Sequence, residues 1–195
     1  MNTHSKWIRH GSYITAHLTV LVVSGVILGA FFVQFVGKEF PCPLCYLQRM
    51  AMILAVLGPA RMIAIGHRKG RIGGYAFTTG FGMTVLASIL GACISIRQIL
   101  LHIAPGDPGY GEPVMGLHLY TWALIVFACL LLDAGVHLTF IREDIPIEPL
   151  HPPILSRLVL WLFLLVIAAN IIAVFVQTGF HWFLLDNPTS YRLLR

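Results

Sequence analysis

The residues best suited to chemistry lie in one run, Pro41-Cys42-Pro43-Leu44-Cys45-Tyr46-Leu47-Gln48-Arg49. Pro41 ends the preceding segment, and Pro43 suits the first turn of a helix, where a missing N–H costs nothing. This predicts Cys42 at or near a helix N-cap and Cys45 one turn in. Positions i, i+3 and i+7 share a helical face, so Cys42, Cys45 and Arg49 stack on one stripe. The helix N-terminus carries about half a positive charge and Arg49 a full one, and both favour a thiolate. That is the setting for thiol–disulfide exchange at neutral pH. Other readings of the same residues are half of a zinc site, with His102 or His118 adding ligands, and a purely structural disulfide.

The elements that position this stripe follow from composition. The chain has 195 residues, 57% hydrophobic and 11% charged, with mean hydropathy +0.82. Soluble domains carry about 25% charged residues. A water-soluble enzyme, a nucleic-acid module and a disordered tail are therefore excluded for the whole chain. Four cysteines are too few for a disulfide-stapled scaffold, which exceeds roughly 8% cysteine. The expected fold class is all-α, a polytopic transmembrane helix bundle in one membrane domain, residues 1–195. A span needs about 20 mainly apolar residues, and five are expected: Tyr13–Val36, Leu44–Ile65, Gly73–Ile96, Leu117–Ile141 and Ser156–Thr178. The first apolar run is too long for a cleavable signal peptide.

Lysine and arginine set the orientation. With the N-terminus in the cytoplasm, eight of the thirteen basic residues lie inside, including the Arg68-Lys69-Gly70-Arg71 cluster. Lys38, Arg49, Arg97, Arg192 and Arg195 lie outside, and five spans leave the C-terminus there too. Trp7 and Tyr13 on one side, with Tyr46, Tyr120 and Trp122 on the other, suit interfacial aromatic belts. Cys42 and Cys45 then sit at the outer water–lipid border, where an oxidising compartment preserves a disulfide and lipid-soluble redox carriers are within reach.

The outer loop His102–Gly116 is nearly half Pro and Gly, which predicts tight turns and a compact cap. Residues 142–155 read as a Pro-rich linker to the fifth span. Gln34, Arg49, Gln98 and His102 are the candidate head-group contacts, since a quinone's two carbonyls accept hydrogen bonds from such side chains. Arg97 reads as an interfacial anchor. Asp133 and His137 read as an i,i+4 pair facing other helices, without a redox role. Cys93 and Cys129 differ in depth by about 10 Å at 1.5 Å per residue. A disulfide needs Cα atoms within about 7 Å, so both read as small buried hydrophobes.

The run C-P-L-C-Y-L-Q-R, opening a second membrane helix on the outer face, resembles the C-x-L-C-x-x-x-R signature of the DsbB/BdbC family of disulfide bond formation proteins. R-Q-I-L-L-H-I-A-P at Arg97–Pro105 and G-L-H-L-Y-T-W at Gly116–Trp122 add to the resemblance, which covers residues 10–141. It implies a quinone-dependent protein-disulfide oxidoreductase of the bacterial inner membrane. Its partners would be a periplasmic DsbA-like thioredoxin-fold thiol oxidase and a membrane quinone, ubiquinone or menaquinone. Cys42 and Cys45 would be the redox-active pair, Cys45 on the quinone side. Arg49, and less directly Gln34, would hold the quinone, while Gln98 stands where the family often has a histidine, with His102 one turn on. The family has a second cysteine pair between its third and fourth spans; His102–Gly116 has no cysteine, and the span 156–178 is extra. Two alternatives stay open: a degenerate member acting as a non-catalytic assembly subunit, and a metal-binding membrane protein.

Overall fold

The computed structural model describes residues 3–140 and 153–194, except 182 and 185. The linker residues 142–152, Arg195 and the side chains of Lys6, Trp7 and Arg9 lie outside that description. Five α-helices follow in chain order: α1 (Thr3–Phe35), α2 (Pro43–Lys69), α3 (Gly74–Leu101), α4 (Leu119–Phe140) and α5 (Pro153–Thr178). Among the described residues a 3-10 turn, Arg192–Leu194, follows them. All five helices are long and apolar enough to cross a membrane. The fold is therefore the expected all-α bundle, with α2 and α3 each extended by about a turn at their C-terminal ends.

The ends of α2 follow from its sequence. Cys42 is the N-cap, with extended backbone, and Pro43 takes the first helical position. At the other end Gly70 adopts a left-handed conformation (φ 66°), and its N–H closes on Gly66 O at 2.9 Å. His67, Arg68 and Lys69 fill the last turn, where cations oppose the negative end of the helix dipole.

Lipid gives helices no hydrophobic reason to associate, so small residues and interhelical hydrogen bonds do that work. A methyl group on Gly58 would stand 2.1 Å from Gly80 O, so α2 and α3 touch backbone to backbone. Pro59 lies inside α2 and removes the N–H that would bond the carbonyl four residues back. That carbonyl, Ala55 O, accepts the hydroxyl of Thr84 from α3 at 2.7 Å instead. Gly91 of α3 leaves room for the Phe127 ring of α4.

Away from Cys42, polar side chains tie α1, α4 and α5 together. Tyr13 Oη lies 3.1 Å from Ser156 Oγ, and His17 Nε2 lies 3.0 Å from the same hydroxyl. Asp133 pairs with His137 at 3.3 Å and accepts from Thr19 at 3.3 Å. The expected i,i+4 pair does face neighbouring helices, with His137 stacked on Phe81 at 4.7 Å. Tyr13, Tyr46 and Tyr120 are buried inside the bundle and do not stand in a lipid-facing belt. Most of each ring is covered by the surrounding protein.

Candidate functional site

Cys42 and Cys45 meet as their spacing demands. The Cys45 backbone N–H donates to Cys42 Sγ at 3.2 Å, the capping bond, and the two sulfurs are 2.7 Å apart. A small side-chain rotation brings that approach to disulfide geometry, and the S–S bond of about 2.05 Å forms when an acceptor takes two electrons and the pair loses two protons. Gln98 of α3 sits beside both sulfurs, its amide nitrogen 3.4 Å from Cys42 Sγ and 3.7 Å from Cys45 Sγ. Gln48 fixes that amide's orientation by donating to Gln98 Oε1 at 3.0 Å. The hydrogen bond with Cys45, and then burial, push the Cys42 thiol well above the ordinary thiol range.

The two sulfurs have different surroundings. Cys42 is 5% exposed, whereas Cys45 forms part of the wall of a cavity of about 490 Å³. The cavity is bordered by α1, α2, α4 and the 102–116 loop, and its wall is mainly apolar. Arg49 and Gln34 belong to the same wall. The Arg49 guanidinium donates to Gln34 Oε1 at 2.7 Å and to Ala30 O at 3.1 Å. It lies over the rings of Phe31 and Tyr46, 5.1 and 5.3 Å from their centroids. Arg49 is 6% exposed and has no carboxylate within ion-pair distance among the described residues. A buried cation without a counter-charge raises the value of any negative charge that forms nearby. The sulfur sharing its cavity is one such place.

The cap is built as its composition predicts. Gly106, Gly109, Gly111 and Gly116 all take positive φ. Asp107 accepts the Gly109 N–H at 2.8 Å and pairs with His102 at 3.1 Å. The first contact, then the second, hold its carboxyl below the usual carboxylate range. Tyr110 donates to Phe40 O at 2.6 Å, and Glu39 accepts the Glu112 N–H at 3.1 Å. These bonds fasten the loop onto the α1–α2 junction and bring Tyr110, Val114 and Met115 into the cavity wall.

Of the expected head-group contacts, Gln34 and Arg49 stand in the cavity wall and Gln98 stands beside the sulfurs. His102 does not reach them; it holds Asp107 and stacks on Tyr120 at 5.8 Å. His118 also stacks on Tyr120, and among the described residues no group of three or more potential metal ligands gathers. Cys93 and Cys129 correct the expectation of burial, because both are exposed on the bundle surface. An apolar sequence offers no inward face to read when the outside is lipid. Gln48, Tyr110 and Tyr46, whose hydroxyl donates to Gln177 Oε1 at 2.8 Å, belong to the site without being singled out by the sequence. Only Tyr46 and Gln48 carried a signal, their place inside the cysteine run.

The family model for disulfide bond formation protein DsbB matches residues 12–112. The chain belongs to the DsbB family. The match holds Gln34, Cys42, Cys45, Arg49, Gln98 and His102, and α4 and α5 lie beyond it. Disulfide bond formation protein B of Chromobacterium violaceum is 34% identical over 90 residues, 46% of this chain and 51% of that protein. Its counterpart in Hahella chejuensis is 33% identical over 90 residues, 46% of this chain and 52% of that protein. The Burkholderia pseudomallei protein of the same name is 26% identical over 151 residues, covering 62% and 86%. The chain thus spans about half the length of the first two relatives. No solved structure matches it. Five candidate spans and DsbB membership together make this a multi-pass membrane protein.

Proposed function

We propose that this DsbB-family chain is a quinone-dependent protein-disulfide oxidoreductase of the bacterial inner membrane. Its N-terminus is cytoplasmic and Cys42–Cys45 lies at the periplasmic face. It takes electrons from a DsbA-like thioredoxin-fold partner in the periplasm. One observation carries the reading: Cys45 and Arg49 share the wall of an apolar cavity inside a membrane bundle. A volume of about 490 Å³ is within the usual range for small-molecule sites. Arg49, in a mainly apolar wall, fits a quinone ring and part of its tail.

In this mechanism a partner thiolate attacks one sulfur of the Cys42–Cys45 disulfide, and the partner's second thiol resolves the mixed disulfide. The partner leaves with a new disulfide, and Cys42 and Cys45 hold its two electrons as thiols. A bound quinone, ubiquinone or menaquinone, supplies a two-electron, two-proton acceptor through which the Cys42–Cys45 disulfide is restored. Arg49 favours negative charge on the cavity side of the pair, and Gln98 steadies both sulfurs. The loop 102–116 contributes Tyr110, Val114 and Met115 to the cavity wall. With no cysteine in that loop, the partner's attack falls directly on Cys42–Cys45. The same absence favours a second reading, a family member acting as a non-catalytic assembly subunit.

The test is turnover in lipid nanodiscs with a reduced thioredoxin-fold dithiol and ubiquinone-1, following quinone absorbance and thiol loss together. Cys45→Ser is expected to reduce turnover to background and Cys93→Ser to leave it intact. Equal activity in the two variants would overturn the oxidoreductase reading, and inactivity of the unaltered chain would favour the assembly subunit.

A further inference from the structure

The fifth helix, which read as an addition behind a linker, reaches the cysteine site through one side chain. Gln177, in the last turn of α5, is 2% exposed. Its amide nitrogen donates to Pro41 O at 2.7 Å, and its amide oxygen accepts the Tyr46 hydroxyl at 2.8 Å. Tyr46 Oη in turn accepts from Gln34 Nε2 at 3.2 Å, and Gln34 Oε1 accepts from Arg49 Nη1 at 2.7 Å.

These four bonds run in one direction. Arg49 donates to Gln34, Gln34 to Tyr46, Tyr46 to Gln177, and Gln177 to the Pro41 carbonyl. Each amide has both of its ends committed, so neither can flip without breaking two bonds. A guanidinium at the head of such a chain polarises every bond after it. The tail is the peptide group that joins Pro41 to Cys42. Pro41 is buried and precedes the N-cap, so no helical N–H can satisfy its carbonyl. Gln177 supplies that partner.

We propose that Gln177 is a positioning residue for the thiol pair. Through Tyr46 and Gln34 it holds Arg49 against the cavity, and through Pro41 it holds the peptide that sets the Cys42 sulfur. Resting on the oxidoreductase reading, this gives α5 a part in that site. Loss of the chain loosens Arg49 and the cap together, which withdraws stabilisation from the reduced, thiolate-bearing pair. A redox pair whose reduced form is less stabilised is a weaker oxidant.

The test is equilibration of the purified full-length protein, without quinone or partner, against glutathione buffers, trapping Cys42 and Cys45 by alkylation. Gln177→Leu is expected to move the equilibrium about tenfold toward the disulfide, a shift of about 30 mV. It is also expected to slow alkylation of the reduced pair at neutral pH. Tyr46→Phe keeps the ring and removes the hydroxyl, which breaks two of the four bonds; it should shift the equilibrium in the same direction, and the double variant should add little. Asn170→Leu, at a buried position two turns earlier on α5, is the control and should leave the equilibrium unchanged. If Gln177→Leu does not fold, Tyr46→Phe decides. An unchanged equilibrium in whichever variant decides, or an equal shift in Asn170→Leu, overturns the proposal. Because no quinone takes part, this outcome is separate from that of the turnover assay.

Discussion

The bundle buries polar side chains at both ends, and the two ends use them differently. At the far end Tyr13, His17 and Ser156 bond one another across α1 and α5, while Asp133 is held by His137 and Thr19. There the carboxylate faces an imidazole and a hydroxyl. At the near end Arg49 is buried with amide, carbonyl and ring partners and no carboxylate, beside two sulfurs and a cavity. Buried polarity in lipid is therefore not by itself a mark of chemistry. A buried charge left without its opposite, next to a redox-active side chain and open space, is a stronger one.

The widest separation between the two ends is expected from charge removal. Arg49→Leu should lower turnover by about 100-fold, the usual scale for losing one preorganised electrostatic partner. Arg49→Lys should recover only part of it, since a point charge cannot hold Gln34 and Ala30 O together. Asp133→Asn should leave turnover alone and cost about 1 kcal/mol in reversible unfolding. Steady-state kinetics beside denaturant titration would read both. Equal loss of turnover in the Arg49 and Asp133 variants breaks the contrast.

A smaller effect tests the packing between the two ends. Thr84→Val removes the donor to Ala55 O and should destabilise the bundle by about 1 kcal/mol. Pro59→Ala restores a backbone N–H to that carbonyl, so Thr84→Val should cost less in its presence. A double-mutant cycle with no coupling would show that Thr84 does not answer the proline.

The loop over the near end offers a pH test. The Asp107 carboxyl lies below its unfolded value of about 3.9. Its contribution to loop order is therefore complete above that value and is lost as pH falls through the lower, folded one. Trp122 Nε1 donates to Val114 O of the loop, so its emission reports loop order. In a chain with the other tryptophans replaced by Phe, that emission should shift on acidification below about pH 4. Asp107→Asn should remove the transition. The least effect is expected from Cys93→Ser and Cys129→Ser, each within about twofold of full turnover, as for surface substitutions. Both cysteines should react with a lipid-soluble maleimide while Cys42 and Cys45 are oxidised.

Composition and spacing were enough for several features. Long apolar runs must become helices in lipid, because every backbone N–H and C=O has to be satisfied within the segment. Pro43 and the C-x-x-C interval placed Cys42 at the cap and Cys45 one turn on, since both follow from local helix geometry. Glycines and prolines shaped the 102–116 cap for the same local reason. Tertiary structure alone decided which faces turn inward. Cys93 and Cys129 read as buried and lie outside, while Tyr46 read as interfacial and lies within, because lipid-facing and helix-facing sides are equally apolar in sequence. Only packing brought Gln98 beside the sulfurs, placed His102 on Asp107, and carried Gln177 across 136 positions to the carbonyl of Pro41. Helical periodicity relates residues within about two turns; contacts between distant helices depend on how those helices pack, and no local pattern encodes that.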